Sequence, residues 1–149
     1  MAGPSAWLIY NQFKTNIGKK LLDLSVDTFK VALFTSPSSA INVAVSPATY
    51  TAFAADGNEV ANGNGYTTTG VSVGVGTWTG TSTLTFDSAD ATWTASGAGF
   101  TARAAVLYDS TSAGKEAVCY CLLDSTPANV TVSSPNTLTL QIANILTLT

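Results

Sequence analysis

A chain of 149 residues, 46% hydrophobic and only 10% charged, has the material for one domain built around a single core. That apolar content excludes intrinsic disorder, which pairs low hydrophobicity with high net charge. The net charge of -3 is unevenly placed, with Lys14, Lys19, Lys20 and Lys30 set against Asp23 and Asp27 at the start, and Arg103 and Lys115 against seven carboxylates in the remainder. An acidic body of this kind argues against nucleic acid as a partner, because neutralising a phosphate backbone takes clustered Lys and Arg.

Residues 1 to 24 form a helical segment in this reading. Over Pro4 to Leu24, the side chains Trp7, Tyr10, Phe13, Ile17, Leu21 and Leu24 recur at three- and four-residue intervals, which predicts an amphipathic helix with these residues along one side. Ser5 is placed to cap it, and Gly18 weakens its last turns, so the helix is expected to end between Lys19 and Leu22. The face carrying Trp7, Tyr10 and Phe13 is expected to cover a sheet or to dock on a neighbouring subunit. The longest apolar stretch here, Ala6 to Tyr10, is too short for a signal-peptide core or a membrane span, so no membrane association is expected.

Asp27 to Thr35 reads as a central strand, apolar and rich in β-branched and aromatic residues, and it ends at a Ser-Pro-Ser-Ser turn. Residues 36 to 64 form the longest irregular stretch, with one short helical turn after Pro47. Loops of this length in compact domains usually carry a function. Its Tyr50 and Phe53 join the aromatic residues of the N-terminal helix as candidate interaction residues.

From Tyr66 onward, short strands alternate with turns: Gly70 to Val75, Thr83 to Asp87, Ala91 to Thr94, Thr101 to Tyr108, Glu116 to Leu123, Val130 to Val132, Thr137 to Ile142 and Ile145 to Thr149. This spacing indicates a sandwich or a barrel. In Val71-Ser72-Val73, Leu84-Thr85-Phe86 and Leu138-Thr139-Leu140, an aliphatic or aromatic residue faces one side and a hydroxyl the other. Edges so poor in charge lack the usual protection against edge pairing, which suggests that an assembly covers them.

The chain offers little reactive chemistry. It has no histidine, which removes most acyl-transfer triads and zinc hydrolases. Cys119 and Cys121 lie two apart in a strand-like run, so they share a face, diverge along it and read as buried free thiols. Asp87 and Asp90 sit at a turn where Asp commonly caps backbone amides, with Arg103 a plausible partner for one of them. Asp56 to Gly65 holds several oxygen ligands but lacks EF-hand spacing, since Val60 occupies a ligand position. Gly70, Gly74 and Gly76 lie in and just after a strand with no helix following, unlike a phosphate loop. Trp78 and Trp93 are expected as core packing, with a sugar-stacking platform as the alternative. The sequon Asn129-Val130-Thr131 has no secretion signal to give it meaning. No cofactor and no metal are expected.

Several segments carry a family resemblance. In order along nearly the whole chain stand WLIYNQFKTNIGKKLLDL (7 to 24), DTFKVALFTS (27 to 36), NEVANGNGYTTTGVSV (58 to 73), TWTGTSTLTFDSADATWT (77 to 94), FTARAAVLYDS (100 to 110) and NTLTLQIANILTLT (136 to 149). Together they resemble a family of small virion structural proteins of tailed bacteriophages and prophages. The markers are the VALFTS strand, the Glu-Val then Gly-Tyr element, the TFD hairpin before a Trp, and the ARxAVLYD strand. The resemblance implies a capsid decoration or cement protein with a jelly-roll-like antiparallel β-sandwich, preceded here by the amphipathic helix. It implies no catalytic residues. The implied partners are the major capsid protein and further copies of the chain, as a dimer or trimer. The implied location is the capsid exterior of the virion, after synthesis in the host bacterial cytoplasm. The Cys119-Tyr120-Cys121 strand departs from the family, a matter of packing.

Two other readings compete. One is a tail- or fibre-associated virion module that binds host-surface glycans through Trp78, Trp93 or tyrosines. The other is an enzyme acting on cell-wall sugar with Asp87 and Asp90.

Overall fold

Val31 to Phe34 are all fully buried, and a strand buried on both sides needs cover on both sides. The computed structural model describes residues 4–126 and 128–148, and it supplies that cover from two directions. In chain order the elements are β1 (Leu8–Ile9), α1 (Asn11–Gly18), β2 (Thr28–Phe34), α2 (Tyr50–Ala55), β3 (Val71–Val75), β4 (Thr77–Gly80), β5 (Leu84–Asp87), β6 (Ala91–Thr94), β7 (Phe100–Ala102), β8 (Ala104–Asp109), β9 (Ala117–Leu122), β10 (Val130–Val132), β11 (Thr137–Leu140) and β12 (Leu146–Leu148). The chain is mainly β, 38% strand against 10% helix, so sheet pairing rather than helix packing sets its architecture.

A five-stranded antiparallel sheet, ordered β1-β9-β8-β2-β3, forms the centre. Smaller antiparallel sheets join β10 to β7, β11 to β6, and β12 to β5 and β4. Side chains alternate across β2, so Phe34 and Phe29 point to opposite faces. Phe34 meets Phe53 of α2 edge-on, with ring centroids 6.1 Å apart, while Phe29 meets Phe86 of β5 at 5.2 Å. Helix α2 and the long loop therefore cover one face, and the small sheets cover the other. The buried side chains form one continuous hydrophobic cluster.

The expected strand at Asp27 to Thr35 is β2, an interior strand, and the helical turn after Pro47 is α2, capped by Thr49 Oγ1 accepting from the Ala52 amide. The N-terminal helix needs correction: it spans only Asn11–Gly18. Tyr10, at its N-cap, is extended and makes no side-chain capping bond. Leu8 and Ile9 pair instead with Tyr120 and Cys119 of β9, and Ser5 exchanges hydrogen bonds with Leu122, its amide donating to the carbonyl and its Oγ accepting from the amide. The backbone groups along the outer edge of β9 need partners, and pairing supplies them where a longer helix would not.

At its far end α1 closes with a Schellman motif, in which the Leu21 amide donates to Asn16 O and the Lys20 amide to Ile17 O. The left-handed position falls on Lys20, at φ 55°, and not on Gly18.

The single strand expected over Thr101 to Tyr108 is two strands, broken at Arg103. There the chain passes from the β10 partnership to the central sheet, and the Arg103 amide donates to Phe34 O at 2.7 Å. Thr77–Gly80 is a further strand, β4, that the sequence pattern left among turns.

Candidate functional site

The five residues expected to make contacts sit mostly inside. Tyr10, Phe13 and Phe53 are 0–1% exposed and Tyr50 is 6% exposed; Trp7 is half-buried, its indole N–H directed at Gln141 O at 3.4 Å. Tyr10 packs between Phe53 and Tyr120, with tilted rings each 5.5 Å away, and its hydroxyl donates to Ala40 O at 2.6 Å. The expectation that Tyr10, Phe13, Tyr50 and Phe53 present a contact surface therefore gives way to a core role. Tyr10, Tyr50 and Phe53 fasten the long loop to the central sheet, while Phe13 packs beside Ile9, Ile17 and Leu146; rings of this size contribute most when removed from water.

The most elaborate polar cluster lies beneath that loop. Glu59 is half-buried and accepts the Tyr50 hydroxyl on Oε2 at 2.8 Å, and the Tyr66 hydroxyl and the Thr69 amide on Oε1 at 2.7 Å each. Tyr108 stacks on Tyr50 with centroids 4.5 Å apart and donates to Thr69 O at 2.8 Å. Lys30 Nζ reaches Thr69 Oγ1 at 3.1 Å, and the Leu33 amide donates to the Tyr66 hydroxyl. Burial pushes the hydroxyls of Tyr50, Tyr66 and Tyr108 above the ordinary tyrosine range, so they remain protonated donors. A carboxylate holding three donors in fixed geometry works as a structural hub, with little capacity left for proton transfer.

The oxygen-rich stretch from Asp56 does not converge on a point. Asp56 accepts from the amide and hydroxyl of Ser39, Asn62 Oδ1 accepts from the Thr68 amide, and Glu59 turns to its tyrosines. Among the described residues, no three His, Cys, Asp or Glu side chains are grouped to hold a metal.

Asp90 Oδ1 accepts from the Ile142 amide at 3.1 Å, the backbone role expected of it, while Asp87 is exposed at the end of β5. Arg103 partners neither. Its Nη1 lies 3.0, 2.7 and 2.5 Å from the carbonyls of Asp124, Thr126 and Ala128, gathering the loop that follows β9. Cys119 and Cys121 are free and buried, as expected. Burial raises both thiols, Cys121 to about 12, so neither is a ready thiolate nucleophile. Trp93 is 4% exposed, which agrees with core packing, and Trp78 is half-buried opposite Phe86.

A second acidic site escaped the sequence reading. Asp109, 0% exposed, accepts the Thr111 and Ser112 amides on Oδ1 at 2.7 and 3.1 Å. Its Oδ2 is buried without a hydrogen-bond donor among the described residues and lies against Asp27. Burial, with Asp27 beside it, raises the Asp109 carboxyl to about 6. The two residues are far apart in the sequence, and only the pairing of β2 with β8 brings them together.

What the small sheets show to solvent is mostly hydroxyl. Across β6 and β11, Thr92 faces Thr139 and Thr94 faces Thr137, with oxygens 3.5 and 3.1 Å apart; Thr101 faces Thr131 across β7 and β10 at 2.9 Å. On the three-stranded sheet, Thr79, Thr85 and Thr147 form one row in register. Asp87 is the charged side chain among these outward positions. The large apolar side chains that stand exposed are Leu8, Leu21, Val26 and Val75. No known protein family, curated protein or solved structure matches the chain. Among the described residues, no helix is long and apolar enough to cross a membrane.

Proposed function

We propose that this chain is a non-enzymatic virion structural protein of a tailed phage, a decoration or cement protein bound outside the major capsid lattice. Its sheets, in this reading, correspond to a jelly-roll-like β-sandwich. The observation that carries the proposal is the threonine covering of the small sheets, with Asp87 as its charged member. Laying such a face against another protein desolvates hydroxyls, which find new partners readily, rather than charges, which do not. A pressurised shell strains its subunit contacts, and a protein that binds only the expanded lattice adds its binding free energy to that state. Many copies make modest affinity per site sufficient. The burial of Trp93 weighs against the alternative, a glycan-stacking module of a tail or fibre.

The test is to add purified, labelled protein to expanded DNA-filled heads, unexpanded proheads and isolated tails, and to read occupancy by cryo-electron microscopy. Saturable binding to the expanded heads is expected. Binding only to tails or to host cells would replace this reading with adhesion.

A further inference from the structure

We propose that β4 is a self-association edge, through which two copies of the chain pair antiparallel about a twofold axis with Trp78 opposite Trp78 of the second copy. The proposal concerns the free protein and does not rest on the virion reading.

Strand β4 is the outer strand of its sheet. Among the described residues, no backbone group of Thr77–Gly80 hydrogen-bonds anywhere except to β5. Several other edges are occupied, broken or shorter. The outer edge of β9 is taken by Ser5 and β1. Strand β6 lies against the segment from Gly65 to Val71, so closely that a side chain at Gly65 would meet Thr94 O at 2.1 Å. Trp7 reaches over to Gln141 just beyond β11. Strand β3 has Gly74 at φ 77° in its interior, whereas the positive-φ glycine of β4, Gly80 at φ 131°, is that strand's last residue. Strands β10 and β12 span three residues each and offer no aromatic side chain.

An open row of backbone donors and acceptors recognises another extended strand, and natural edges are usually protected by Lys, Pro or a bulge. Thr77-Trp78-Thr79-Gly80 has no Lys and no Pro. The occupant is a second copy because the side chains complement themselves. With Trp78 on the axis, Thr77 of each copy stands opposite Thr79 of the other, the same Thr-to-Thr pairing that this chain uses across β6–β11 and β7–β10. The result is one six-stranded sheet, isologous as a twofold requires. Pairing of this extent falls in the weak class of interfaces.

The experiment is sedimentation equilibrium on the full chain from micromolar to millimolar concentration, with circular dichroism to establish that each variant is folded. The wild type is expected to dimerise. In Thr77→Lys/Thr79→Lys, lysines oppose lysines across the axis, and association is expected to weaken at least ~10-fold. In Thr77→Lys/Thr79→Glu, each introduced lysine faces an introduced glutamate of the second copy. The lysine also gains Asp87, the cross-strand neighbour of Thr77 within its own chain, so dimerisation is expected to persist and to become salt-sensitive. A wild type that stays monomeric at millimolar concentration overturns the proposal, as does a dimer indifferent to the double lysine. Equal loss of association in both variants overturns the register centred on Trp78.

Discussion

Asp109 is a buried carboxyl whose second oxygen has no donor unless a proton is shared with Asp27. Its folded-state pKa, about 6, lies above the ordinary value of 3.8, so the folded chain holds this proton more tightly than the unfolded chain. The resulting stability is fully present below about pH 3.8 and is lost as pH rises through about 6. Asp109→Asn is therefore expected to raise the urea midpoint at pH 7.5 and to leave it nearly unchanged, or lower it, at pH 4.5. Equal effects at the two pH values would remove the shared proton from the account. Glu59 presents the opposite case, a carboxylate well supplied with donors. Glu59→Ala strands two tyrosine hydroxyls and one amide and is expected to cost about 2–4 kcal/mol, with Glu59→Gln costing roughly half of that, by chemical denaturation.

At the scale of elements, the ends and breaks are where single changes should tell most. Lys20 holds the left-handed position of the α1 terminus, exposed and at φ 55°. Lys20→Gly relieves the Cβ crowding of that conformation and is expected to stabilise the fold by about 1 kcal/mol, read as a rise in melting temperature. Arg103 marks the passage between sheets, and its side chain supports three carbonyls of the 124–128 loop. Arg103→Ala is expected to cost about 2–3 kcal/mol and to make that loop the first site of proteolytic nicking, checked by mass spectrometry of a limited digest.

Strands β2, β6 and β10 were legible in the sequence because alternation or a bounded apolar run is a local signal. Leu8–Ile9 was not: the side-chain spacing from Trp7 to Leu24 is helical, and the force that overrides it is an unpaired edge on a strand distant in the chain. The break at Arg103 was hidden for the same reason, since its carbonyl-gathering partners belong to a distant loop. Tyr10, Phe13, Tyr50 and Phe53 were misplaced on the surface because sequence ranks aromatics by size and spacing alone. Which ones meet solvent depends on how the 36–64 loop closes over the sheet. The Glu59 hub left one trace, the Glu-Val and Gly-Tyr pairs that stood out as a marker, but without geometry they pointed to no network.

For the whole molecule, the central sheet draws strands from distant parts of the sequence. β1 pairs with β9, and β2 lies between β8 and β3. Long-range pairing of this kind makes folding slow compared with helical domains of similar size. It also buries Cys119 and Cys121 in β9. The two thiols thereby form a native clock for the opening of the molecule. A thiol reagent at pH 8 reaches them only when the structure around β9 opens, so the labelling rate reports that opening. Anything that clamps the fold from outside will slow that clock, and a stopped-flow trace or a mass shift can time it without adding a foreign label to the chain.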